Sequence, residues 1–162
     1  MGSLHDELLA QAWLLAKKEP KRPLQASLRR AVSAAYYAVF HLLVDAGGRS
    51  LTEPSDLTLR HQVQRAYNHG TMKFVCQNLH VLNPVVTLPL EPQLIDVATA
   101  FVDLQQARHD ADYDYSIILI RTNVLQKIAL ADSALLNWKA VRNTPNARAF
   151  LAALLLQRQW RT

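Results

Sequence analysis

Apolar residues return every three or four positions along most of this chain, the repeat of an α-helix with one buried side. Leu4, Leu8, Ala12 and Leu15 form the first such line and predict a helix through Lys17, closed by the two prolines of Glu19-Pro-Lys-Arg-Pro23. A longer helix is predicted from Leu24 to Ala46. Leu28, Val32, Ala35, Val39 and Leu42 make one line, and Ala31, Tyr36, Phe40 and Leu43 widen it. Its polar line, Arg30, Ser33, Tyr37 and His41, is narrow, so this reads as the central helix, buried between neighbours. Gly47-Gly48 is expected to stop it.

Ser55 or Asp56 can cap a helix running to about Asn68, and a short piece is expected from Met72 to His80. Residues 81–92, with Pro84, Pro89 and Pro92 among Val and Leu, predict an extended connector packed on the bundle. From Glu91 onward Leu94, Val97, Phe101, Leu104, Arg108 and Ala111 form an inward stripe that contains one arginine. A further helix is expected from Ser116 to Asn143 on Ile117, Val124, Ile128, Ala131, Leu135 and Trp138, with Arg121 interrupting the stripe. Thr144-Pro145 is a cap followed by proline at the first helical position, and Ala147, Phe150, Leu151, Leu154 and Leu155 predict a last amphipathic helix.

Four long helical patterns joined by connectors that permit antiparallel neighbours predict an all-α, up-and-down four-helix bundle with additional short helices. The 162 residues suit a single domain over 1–162. Half the residues are apolar and about a fifth charged, a globular profile. The net charge of +5 allows attraction to a polyanion without choosing between nucleic acid and an acidic protein. Cys76 is the single cysteine, which excludes an internal disulfide. No apolar run has the length of a membrane span and the 4–17 segment lacks the layout of an export signal, so a cytoplasmic protein with no membrane partner is the expectation.

A guanidinium on a core stripe must find a carboxylate, solvent or a ligand phosphate. For Arg108 and Arg121 one reading is therefore a structural ion pair, with Asp112 or Asp114 answering Arg108 at the ends of two helices. The other is an anion site. Lys17, Lys18, Lys21, Arg22, Arg29 and Arg30 gather on the first connector and the start of the central helix, either as a phosphate-facing patch or as a solvated helix end. Asp110, Asp112 and Asp114 alternate, a spacing that points three helical carboxylates in different directions and suits caps better than a metal. Cys76 and His80 stand one turn apart, but no second pair completes a zinc site. No phosphate-cradling glycine loop, nucleophile triad or zincin spacing appears, and no cofactor is implied.

Two stretches, Leu28-Arg-Arg-Ala-Val-Ser-Ala-Ala-Tyr-Tyr-Ala-Val-Phe-His-Leu-Leu43 and Ala107-Arg-His-Asp-Ala-Asp-Tyr-Asp114, resemble in order the two signature segments of the HEPN family. The resemblance spans most of the chain. It implies a helical bundle, commonly a homodimer in which the arginine-bearing ends approach one another, with RNA or a nucleotidyltransferase-like antitoxin as partner. With it Arg108 becomes the residue expected to contact phosphate, and the basic patch of Lys21, Arg22, Arg29 and Arg30, read from charge placement, is a further candidate. Many ribonucleases of the family carry an arginine followed after four to six residues by a histidine. Here Arg108 and His109 match the opening, whereas Tyr113, Asp114 and Tyr115 stand where the closing histidine would fall. Metal-independent RNA cleavage needs a proton acceptor near neutral pH, which suits histidine at about 6.5 and not tyrosine at about 10. A non-cleaving RNA- or partner-binding module is the leading expectation. An endoribonuclease using Arg108 with His109 or Tyr113 is the second, and an architectural dimer the third.

Overall fold

The computed structural model describes residues 2–160, all helical or connecting, with no strand among them. Seven α-helices follow in order: α1 (Leu4–Lys17), α2 (Gln25–Leu51), α3 (Leu57–Ala66), α4 (His69–Gln77), α5 (Pro92–Tyr113), α6 (Arg121–Val141) and α7 (Pro145–Leu156). A 3₁₀ turn, Leu79–Val85, separates α4 from α5, and another, Gln157–Gln159, follows α7.

The four long helices α1, α2, α5 and α6 make an up-and-down bundle, and α2 packs on all three others as well as on α3 and α7. Its direction is fixed by side chains that reach across the helix ends. Arg121 at the start of α6 donates to Ala16 at the end of α1, and Arg29 at the start of α2 donates to Ala111 at the end of α5. α2 is thus the central helix that its narrow polar line predicts, with Leu28, Ala35, Tyr36, Val39 and Leu43 fully buried. The α5 stripe also lies inward. Leu94, Val97, Phe101 and Leu104 are fully buried, and only Arg108 retains some access to solvent.

Local chemistry accounts for most of the helix starts. The Asp56 carboxylate accepts the Leu59 N–H at 2.9 Å, and the Thr144 hydroxyl accepts the Ala147 N–H at 3.1 Å with Pro145 at the first helical position. Leu24 has no capping side chain, and Glu19 from the connector takes its place, accepting from the Leu24 N–H and the Ser27 hydroxyl. Asn146 clips the proline-rich connector to α7 by accepting from the Thr87 N–H and donating to the Thr87 carbonyl and the Glu91 carboxylate.

Four expectations from the sequence need correction. Gly47-Gly48 does not end α2, which continues to Leu51, and neither glycine has a positive φ. The pair exists for close approach: a Cβ on Gly47 would sit 1.9 Å from the Tyr67 Oη, and one on Gly48 2.9 Å from Gln64. Tyr67 is buried there and donates to the Leu151 carbonyl at 3.0 Å, while burial pushes its phenol up to about 12. In α1 the buried line is Leu9, Ala12 and Ala16, with Leu4 exposed, so the helix is rolled about its axis relative to the Leu4–Leu15 line. Part of 81–92 is wound into the 3₁₀ turn, with Pro84 inside it.

The fourth correction concerns Ser116, where a helix start was expected. Residues 114–120 are instead non-helical, and α6 begins at Arg121. The segment's backbone groups find side chains in place of helical partners. Gln25 donates to the Leu119 carbonyl at 2.8 Å and accepts the Leu119 N–H at 2.9 Å, and Arg29 takes the Asp114 and Ile117 carbonyls. No helix is long and apolar enough to cross a membrane among the described residues.

Candidate functional site

Arg108 lies on the inner face of α5 one turn before the helix ends, and its side chain is 14% exposed. The guanidinium carbon lies 5.3 Å from the centre of the Tyr36 ring and 6.0 Å from that of Tyr37, so two aromatic faces of α2 form its seat. Asp112, one turn on, approaches its Nη1 at 3.7 Å, close enough for an ion pair and too far for a hydrogen bond. The Nε is buried and has no partner among the described residues. The cation is therefore incompletely answered, because its own helix supplies one loose carboxylate and α2 supplies π-faces.

His69 joins this seat from α4, with no spacing along the chain to signal it. Asn68 caps α4 through the Thr71 N–H and so fixes His69 in the first turn, where its ring stacks on Phe40 with centroids 4.2 Å apart. The His69 Nδ1 meets the Tyr36 hydroxyl at 2.5 Å. Burial first, and then the positive charge of Arg108 and the neighbouring His41, hold its imidazole below the usual histidine range. Burial likewise pushes the Tyr36 phenol up, so Tyr36 keeps its proton. Gln105, one turn before Arg108, turns toward the same helix, with its Nε2 3.5 Å from the His69 carbonyl and its Oε1 buried without a partner. A neutral imidazole, a retained phenol proton and an under-answered guanidinium thus share one aromatic seat. The only local signal for it was the Asn-His pair at a helix start, which looks like any cap.

The other residues singled out by sequence do not converge on this seat. His109 and Tyr113 lie on the outward side of α5, their rings 5.2 Å apart and Tyr113 63% exposed, so neither faces the same side as Arg108. Lys21, Arg22 and Arg30 are exposed around the first connector and the start of α2, with Arg30 bordering a hollow that Asp112, Tyr113 and Tyr115 also line. Arg29 is committed elsewhere, donating to the Ala111 carbonyl at 2.7 Å, Asp114 at 3.1 Å and Ile117 at 2.5 Å. Arg121 does not join the Arg108–Asp112 pair. Its guanidinium caps the end of α1 and the connector, donating to the Ala16 carbonyl at 3.0 Å, Pro20 at 2.9 Å and the Glu19 carbonyl.

The three alternating carboxylates go to three different partners. Asp110 accepts from Gln106, Asp112 faces Arg108, and Asp114 accepts from the backbone and hydroxyl of Ser116, which hold its carboxyl below the usual range. Cys76 is buried and its thiol is pushed up by that burial. No group of three or more candidate metal ligands forms among the described residues. Compared with protein-family models, curated proteins and solved structures, the chain matches none, and the chemistry of this seat rests on the geometry given above.

Proposed function

We propose that this chain is a HEPN-like module that binds single-stranded RNA, with Arg108 meeting a phosphate at the inner seam of the bundle. The observation that carries this reading is the guanidinium seated on Tyr36 and Tyr37 with its Nε unpartnered and its nearest carboxylate 3.7 Å away. A charge held this way is under-neutralised, and a phosphate oxygen supplies the strong, charge-assisted acceptor it lacks. On the outer side of α5, away from the seat, the hollow that Asp112 lines carries exposed Arg30 as a second cation and exposed Tyr113 and Tyr115 as faces on which flanking bases stack.

The test is fluorescence anisotropy with a labelled single-stranded oligoribonucleotide at two salt concentrations. Arg108→Ala is expected to weaken binding by about tenfold, in the 1–3 kcal/mol range of a lost charge-assisted contact, while Arg108→Lys recovers part of it. Unchanged affinity in Arg108→Ala, together with a lower melting temperature, would replace this reading with an internal clamp holding α5 to α2.

Metal-independent RNA cleavage is a second reading, and one observation favours it: His69 supplies at the seat an imidazole, which His109, on the outward side of α5, does not. His69→Gln keeps a hydrogen-bonding side chain beside Tyr36 and removes the proton acceptor. If wild type cuts the oligoribonucleotide in EDTA and His69→Gln does not, the enzyme reading gains; no cutting by wild type ends it.

A further inference from the structure

A second positive surface lies toward the opposite end of the bundle, where α2 finishes. Two clefts, of about 640 and 690 Å³, lie side by side there and share His5, Asp45 and Arg49 as a common wall. Each is in the ~300–1,000 Å³ range of sites that hold small ligands or ligand segments. Arg65 lines the first, and Lys139, Arg142 and Arg148 line the second, all four exposed. None of these four pairs with a carboxylate among the described residues.

Asp45 is the only carboxylate in either lining, and it is already engaged by Arg49 at 2.7 Å and Gln64 at 3.2 Å. Asp6, beside the wall, is held by the Ser3 hydroxyl at 2.7 Å and lies 3.9 Å from His5. Three of these cations, Lys139, Arg142 and Arg148, follow one another from the end of α6 into α7, and tertiary packing brings Arg65 of α3 to the same end. The first cleft also presents the imidazoles of His5, His41 and His61, flat faces of the kind on which unpaired bases stack.

From this juxtaposition we infer that the joined clefts are a track for single-stranded RNA, with phosphates on Lys139, Arg142 and Arg148 and bases in the histidine-lined half. The inference rests on the RNA-binding reading above but concerns a different surface: the first cleft adjoins the aromatic seat through Phe40 and His41, and the cations lie beyond it toward the end of α2. A row of unpaired cations beside stacking faces suits a single strand, whose bases are free to turn into the cleft. Phosphate contacts there release counterions, so they contribute to the salt dependence of binding in proportion to their number.

The experiment compares wild type with the double variant Arg142→Glu and Arg148→Glu, both exposed positions, using a labelled single-stranded oligouridylate and a duplex RNA of equal length across a salt series. The inference expects the double variant to bind the single strand about tenfold more weakly or worse, with the salt slope reduced by about two. Unchanged affinity and slope would overturn it, and so would duplex binding as tight as single-strand binding in wild type. Loss in the double variant with none in Arg108→Ala keeps the track and removes the Arg108 reading. The converse result keeps the Arg108 reading and removes the track. Wild type that binds inorganic polyphosphate through these residues but not RNA overturns the assignment of RNA as ligand.

Discussion

At one end of the bundle two arginines are spent on backbone carbonyls, and toward the other a group of cations lines open clefts. At the end where α2 and α6 start and α1 and α5 finish, Arg29 and Arg121 each donate to three backbone carbonyls, and Arg108 is partly answered by Asp112. Cations there tie off helix C-termini and the 114–120 segment, which would otherwise leave carbonyls unsatisfied. At the far end Arg65, Lys139, Arg142 and Arg148 face open clefts. A positive residue count therefore does not locate a polyanion surface; what matters is whether each cation has already been given an acceptor.

The largest effect expected from breaking this contrast belongs to Arg29→Ala. Removing one guanidinium orphans three part-buried carbonyls, and at 1.5–3 kcal/mol for a charged hydrogen bond the loss should be about 3 kcal/mol or more in urea denaturation. A change below about 1 kcal/mol would mean that water replaces the side chain at little cost.

A smaller effect is expected from pH. His41 and His69 are both held below the usual histidine value of about 6.5, in each case chiefly by burial. The unfolded chain therefore takes up these protons at a higher pH than the folded one, so their contribution is complete above about 6.5 and is lost as pH falls through the lower folded values. Thermal melts from about pH 8 to about 5.5 should show a falling midpoint, and the variant with both His41→Gln and His69→Gln should show a flatter profile. An equally steep profile in that variant would assign the pH dependence to other groups.

The smallest expected effect sharpens the comparison from the other side. Arg142→Glu with Arg148→Glu should leave stability within about 0.5 kcal/mol of wild type, because neither side chain hydrogen-bonds or pairs among the described residues. A large loss would mean that these cations are structural after all, like Arg29.

The α5 stripe, the Asp56 and Thr144 caps and the central position of α2 were readable from the chain, because each depends on residues within a few positions of one another. Gly47-Gly48 and the start of α6 were misread for a common reason. Two glycines ordinarily end a helix, and Ser116 ordinarily begins one, but Tyr67 and Gln64 require the bare glycines, while Gln25 and Arg29 satisfy the segment after Ser116 from about ninety residues away. His69 was hidden in the same way, since its partners Tyr36 and Phe40 lie on another helix.

By itself the sequence determined the all-helical bundle and the inward turn of Arg108, since periodicity and capping are local and need no knowledge of what lies opposite. Tertiary structure alone decided which arginines are spent on carbonyls and which face the clefts, and that His69 joins Tyr36 and Arg108. Those outcomes depend on which distant backbone or side-chain groups come within hydrogen-bonding reach, and no spacing along the chain encodes that distance.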